Sequence, residues 1–325
     1  MRRLVRLSIL ALLASAIASV AAAQAPVAYR LSFPEPEHRW MQVDLTLADV
    51  PAGPLELHMS RSSPGRYALH EFAKNVFEVV VTDTAGTPLE VTRPNPHQWR
   101  VARHDRSVRV RYRVFGDRID GTYLSVDSTH AHINMPSALM WARGLEDRPA
   151  TIRFEPPTGT TWRVATQLFP GGDALTFTAP NLQYLMDSPS EFGSFSLRTF
   201  TVSDGTRVST FRIAAHHDGT DRELDAFTRD VERVVREARG VFGELAPFEN
   251  GTYTFIADYL PWATGDGMEH RNSTIMTSAT SLRTNREGLL GTVSHEFFHS
   301  WNVERIRPKS LEPFNFSEAS SSSEL

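Results

Sequence analysis

The segment SHEFFHSWN, Ser294 to Asn302, decides the fold of the second half of this chain. Within it His295, Glu296 and His299 complete an H-E-x-x-H pattern. Residues four apart share one face of a helix, so both imidazoles can reach one metal ion while Glu296 turns toward a water beside it. This is the pattern of a zinc hydrolase whose carboxylate serves as general base. A mononuclear zinc site takes a third protein ligand, and the chain as given ends at Leu325, shortly after the motif.

Leu289, Leu290, Val293, Phe297 and Phe298 surround the polar triplet. The segment therefore reads as a buried helix interrupted by ionisable groups, which are costly to bury unless paired or ligated. Histidines satisfied by ordinary hydrogen bonds are the competing reading. The expected chemistry is polarisation of a carbonyl by the metal, with Glu296 taking a proton from water and passing it to the leaving amine.

Outward from the motif, DRELDAFTRDVERVVREARGVFG (Asp221–Gly243) places Leu224, Phe227, Val231, Val234, Val235, Ala238 and Phe242 on one face of a helix. Thr220 or Asp221 can cap its start and Gly243 suits its end. A strand (TYTFIADYL), the loop PWATGDGMEHRNST and a strand-like TIMTS follow. The metal helix is expected from about Arg286 to Val303. Helix, strand, strand and metal helix describe the first half of a zinc-peptidase catalytic domain.

Between Tyr29 and Ala215 the pattern differs. Nine short runs, among them MQVDLTLADV, SVRVRYRVFG and STFRIAAHH, alternate in polarity and are separated by Gly, Pro, Asp and Asn. They predict an all-β, sandwich-like domain. The chain start reads as a secretory signal peptide: Arg2, Arg3 and Arg6, an apolar run from Leu7 to Val20, and small residues at Ala21–Ala23. The expected division is a signal peptide over 1–23, a β-domain over 24–216 and a partial catalytic domain over 217–325.

The 325 residues are 41% hydrophobic and 22% charged, ordinary for a folded protein. A formal charge of −4 gives no basis for a nucleic-acid partner. Cysteine is absent, which removes disulfides, thiolate ligands and cysteine nucleophiles and leaves metal binding to His and carboxylates. A periplasmic or secreted protein, free of the membrane after signal cleavage, fits these features. Nothing in the sequence sets an oligomeric state.

For the third ligand, Glu318 lies an 18-residue gap beyond His299, with Glu312 and Glu324 as other carboxylates. Pro308 and Pro313 interrupt the second helix that such a spacing requires.

HEFFHSWNVERIRPKSLEPF (His295–Phe314) resembles the signature of the glycyl aminopeptidase family of clan MA gluzincins. SSPGRYALHEFAKNV (Ser62–Val76) and YLMDSPSEFG (Tyr184–Gly193) resemble further family segments. The resemblance implies an N-terminal β-domain followed by a thermolysin-like catalytic domain, of which this chain carries the first part. It makes His295 and His299 ligands of one Zn2+ ion and Glu296 the catalytic base. The family's G-x-x-E-H element is matched by GDGMEH, which makes Glu269 the carboxylate that binds a substrate's free α-amine. It sets Gly267 and Met268 on the edge along which the peptide lies. Asp266 stands where Gly is commoner and is expected to narrow the pocket or add charge beside the amine. The resemblance also sets Glu318 aside, since the family ligand belongs to a Trp-x-x-Glu-Gly helix that would begin just beyond Leu325.

The implied function is zinc-dependent removal of small N-terminal residues, Gly or Ala, from peptides with a free N-terminus. Two alternatives stand beside it: an endopeptidase or other metallohydrolase using the same chemistry, and an inactive binding protein built from a β-domain and a truncated catalytic remnant.

Overall fold

The computed structural model describes residues 24–66 and 68–319; the expected signal peptide and Glu324 lie outside the described residues. The N-terminal part is built on a seven-stranded sheet. Its strand order is Phe169–Pro170, Thr176–Ala179, Ala150–Glu155, Val27–Ser32, Trp40–Leu47, Val108–Phe115, Val76–Thr82. Alternation does the sorting: Met41, Val43, Leu45 and Leu47 are buried, as are Val108, Val110, Tyr112 and Val114 opposite them, while their neighbours face outward. Two four-stranded sheets complete the β-rich region. Its core also takes in Phe314 and Phe316 from the far end of the chain, fixed by Arg61 N–H donating to the Phe316 carbonyl (2.6 Å) and Ser62 Oγ to the Asn315 carbonyl (2.9 Å).

The second part is organised on a five-stranded sheet in the order Ser196–Ser203, Val208–His217, Thr252–Tyr259, Ser273–Ser278, Asp266–His270. The three middle strands run parallel and both edge strands antiparallel to their neighbours. Parallel neighbours need a crossover. Here it is the helix Asp221–Phe242, which buries Leu224, Phe227, Val231 and Val235. Thr220 caps it in a reciprocal capping box with Glu223, and Gly243 closes it at φ 81°. The strand runs at 196–217, read from sequence together with the preceding β-region, are hydrogen-bonded into this second sheet. Alternating polarity reveals a strand without revealing its partner.

The motif helix spans Arg286–Phe298. Leu289, Val293 and Phe297, four apart, form its buried stripe and pack on the same face of the sheet as the long helix. Phe297 is fully buried, with ring centroids 5.1 Å from Tyr253, 5.5 Å from Trp301 and 5.8 Å from Phe211. The helix ends earlier than the sequence pattern predicts, with His299 as its C-terminal cap rather than Val303 as its last residue. Arg305 explains the stop: its guanidinium donates to the Ser300 carbonyl (2.8 Å) and also to Arg271 O, Pro247 O and Asn272 Oδ1. The chain turns so that this cation satisfies the Ser300 carbonyl, which a longer helix would have satisfied itself. No helix among the described residues is long and apolar enough to cross a membrane.

Phe297→Ala is expected to destabilise the protein by roughly 3–5 kcal/mol through the cavity it leaves, measured by chemical denaturation. A cost comparable to that of an exposed site would show that the motif helix is not anchored through this ring.

Candidate metal centre and substrate edge

His295 and His299 project from one side of the motif helix with Nε2 atoms 3.3 Å apart. His299 Nδ1 lies 2.5 Å from the Asn302 carbonyl, which can only accept, so Nδ1 carries the proton and Nε2 presents its lone pair. Two imidazole nitrogens this close repel unless a proton or a cation lies between them. The donor set therefore fits a zinc ion held through both Nε2 atoms.

Glu296, between the two histidines in sequence, is 5% exposed. It rests on Gly267, where a Cβ would come within 2.1 Å of Glu296 Oε1. Its Oε2 is buried without a hydrogen-bond partner. Burial, with the nearby charges of Glu269 and Asp266, pushes its pKa up to about 8. Glu269, Glu296 and His299 each bring one potential ligand atom within 4.8 Å of the others. Glu304, just beyond the motif, is 4% exposed, and burial with the Asp187 charge also pushes it up to about 8. Glu269 and Glu296 are thus crowded beside His299, an arrangement that favours a cation.

Gly267, Met268 and Glu269 lie on Asp266–His270, the edge strand of the second sheet. Strand alternation turns Gly267 and Glu269 toward the motif helix and Asp266, Met268 and His270 toward the β-rich region. Gly65 and Gly121 of that region press on Met268: a Cβ at either would fall 2.6 or 2.7 Å from it. Asp266 turns toward the β-rich region, and its charge still reaches Glu296. Its carboxylate pairs with Arg66 and accepts the Gly121 N–H at 2.9 Å. Gly267 N–H donates to Asp266 Oδ1 (3.0 Å), and its carbonyl accepts from Arg66 (3.3 Å). His270 Nδ1 is 2.8 Å from Asp187 Oδ1. Burial raises the carboxyl and lowers the imidazole, so the pair holds one proton within its hydrogen bond. The two N-terminal segments singled out in the sequence thus supply Gly65, Arg66 and Asp187 to this strand.

Among the described residues, the downstream candidates Glu312 and Glu318 do not join the histidines. Glu318 bonds Asn315 at 3.3 Å, and Glu312 pairs with Arg307 at 3.3 Å. Sequence reasoning passed over Arg66, Asp187 and Glu304, whose roles depend on partners distant in sequence. It also passed over a buried group comprising His130, Glu191, His216 and Asp258. Each of these four comes from a different strand, so no spacing announces them.

Family comparison matches residues 28–194 to the Peptidase M61 N-terminal domain and residues 288–325 to M61 glycyl aminopeptidase. A search of the curated proteins returned no match. Among solved structures, an aminopeptidase N family protein from Idiomarina loihiensis aligns with a TM-score of 0.78 at 23% identity, over 90% of this chain and 50% of that one. An M1 zinc metallopeptidase from Deinococcus radiodurans aligns at 0.47 and 16% identity, over 84% and 64% of the two chains. Yeast LTA4 hydrolase aligns at 0.49 and 15%, over 86% and 44%. The chain spans half the length of the Idiomarina protein, whose fold it shares. With its β-rich region, its α/β region of thermolysin-like peptidase architecture and its metal motif in these places, the chain belongs to the M61 glycyl aminopeptidase family.

Proposed function

We propose that the protein is a zinc-dependent aminopeptidase that removes small N-terminal residues, Gly or Ala, from peptides with a free N-terminus. The observation that carries this reading is the meeting of Glu269 with Glu296 and His299. A carboxylate beside the metal-binding histidines attracts an α-ammonium and sets the first peptide bond, rather than an internal one, over the reacting groups. Zinc bound by His295 and His299 supplies Lewis acidity toward a peptide carbonyl and toward water.

Glu296 is the proton carrier. Its raised pKa means that it needs a neighbouring cation to be an ionised base at neutral pH, and the histidine pair beside it provides the place for one. Gly267 leaves the space in which the Glu296 carboxylate sits, and Gly267 with Met268 forms the edge along which the substrate backbone runs. A peptide pairing at Gly267 exchanges with the Arg66 contact to that carbonyl. Arg2, Arg3, Arg6 and the apolar run after them, together with the lack of cysteine, support a periplasmic or secreted location.

The test is zinc content by elemental analysis together with hydrolysis of glycine and alanine p-nitroanilides by the whole protein. Zinc-dependent turnover is expected, lost on chelation. Tight zinc without turnover on either substrate, but with cleavage of amino-blocked peptides, would sink the aminopeptidase reading.

Glu296→Gln is expected to lower kcat/KM by about 10²–10⁴ while zinc content is unchanged. Glu269→Gln is expected to reduce the preference for free over N-acetylated substrates by roughly 10–100-fold, the worth of a hydrogen bond to a charge. An unaltered ratio would remove Glu269 from amine recognition. Gly267→Ala, which forces the Glu296 carboxylate aside, is expected to cost about 10² in kcat/KM with an unchanged circular dichroism spectrum.

A further inference from the structure

The β-rich region meets the second sheet across a polar seam. Within it, two cross-strand acid–histidine pairs face one another. Glu191 lies opposite His132 in the β-rich region, and Asp258 lies opposite His216 in the second sheet. His130 stands two residues before His132 on the same strand and so on the same face. The Glu191 and Asp258 side chains have no solvent exposure, His130 and His132 have 1%, and His216 has 10%.

The contacts converge on a common centre. His132 Nδ1 is 3.0 Å from Glu191 Oε2 and 3.1 Å from Asp258 Oδ2. His216 Nδ1 is 3.1 Å from both Glu191 Oε1 and Asp258 Oδ1. His130 Nε2 approaches Asp258 Oδ2 to 4.0 Å. Each Nδ1 thus faces two carboxylates, although one N–H can point at only one. Despite these distances, Glu191 Oε1, Asp258 Oδ2, His130 Nε2 and His216 Nε2 have no hydrogen-bond partner. Three of these atoms, Glu191 Oε1, Asp258 Oδ2 and His130 Nε2, border the common centre, and buried polar atoms without a partner there call for a ligand.

The outer contacts of His130 and His132 are those of ligating imidazoles. His130 turns Nδ1 to Thr129 Oγ1 (2.8 Å) and Asp127 Oδ1 (3.4 Å), leaving Nε2 aimed inward. His132 Nε2 donates to the Asp120 carbonyl (3.1 Å), leaving Nδ1 aimed inward. Carboxylates and carbonyls orient metal-bound histidines in this way. Metal–ligand bonds of about 2.0–2.2 Å in a tetrahedron put ligand atoms roughly 3.4 Å apart, within the observed spread. A divalent ion also neutralises two fully buried carboxylates without requiring two charged imidazoles.

We propose that this seam binds a divalent transition-metal ion of the zinc class through His130, Glu191, His216 and Asp258, with His132 beside them. The site is separate from the H-E-x-x-H centre. Phe255, Ala257 and Tyr259 of the Thr252–Tyr259 strand pack with the motif helix, so Asp258 points to the opposite face of the sheet. A cavity lined by Asp127, His130, His216, His217 and Trp262 leads to it from solvent. Joining strands from both regions, the ion acts as a structural clamp.

The test uses the whole protein carrying His295→Ala and His299→Ala, which removes the catalytic pair and leaves the seam intact, so that it stands independently of the aminopeptidase reading. After chelation and dialysis, the variant is titrated with Co2+ and, separately, with Zn2+. One equivalent of Co2+ with visible d–d absorption, one dialysis-resistant zinc and a higher Tm with metal are expected. Adding Asp127→Asn, which touches no ligand atom directly, is expected to weaken binding by about 10–100-fold, and Asp258→Asn to abolish the absorption. No bound ion in the double variant, or an absorption that survives Asp258→Asn in a folded protein, overturns the proposal and leaves the cluster as a proton-paired network.

Discussion

The contact between Glu296 and the bare backbone of Gly267 sets the geometry of the whole centre. It requires the motif helix to lie against the edge strand more closely than any Cβ allows. Only a helix anchored from behind can be held there. Leu289, Val293 and Phe297 provide that anchor against Phe211, Tyr253 and Phe255, while Arg286 ties the helix start to Asp230 of the long helix. The edge strand is pressed from its other face by Gly65 and Gly121 and held through Asp266 by Arg66. The β-rich region is therefore part of the centre's construction, since it fixes the strand on which the helix bears.

Charge follows from that closeness. Packing the helix on the strand brings Glu296 toward Glu269, and burial raises the cost of their shared sign. The His270–Asp187 pair absorbs one such charge by sharing a proton. The rest of the imbalance lies beside His299, where a bound cation would relieve it. Acid crowding and exposed imidazole lone pairs are two sides of one arrangement, each unfavourable alone.

Much of this was legible in the sequence wherever the signal is local. Five consecutive residues contain the metal motif, and a 3.6-residue period announces Asp221–Phe242 together with its capping residues. The edge strand and Glu269 were reached through a resemblance, because nothing in GDGMEH itself says that it will lie beside His299. What escaped depends on partners far apart in sequence. The stop of the motif helix at His299 depends on Arg305 bonding to Arg271, Pro247 and Asn272. The direction of Asp266 depends on Arg66, 200 residues earlier. The strands at 196–217 alternate as plainly as those before them, and pairing alone assigns them to the second sheet.

The aromatic residues Phe314 and Phe316 close the core of a region whose first strand begins at Val27. A growing polypeptide therefore completes the hydrophobic interior of its first-made part only after the strands of the second sheet and the motif helix have been synthesised. The entropic cost of that closure is borne late and the contact order is high, so the early β-strands must wait with part of their apolar surface uncovered. Biogenesis of such a chain favours one concerted collapse over region-by-region maturation, and makes the interval before Phe314 emerges the one in which a chaperone has most to protect.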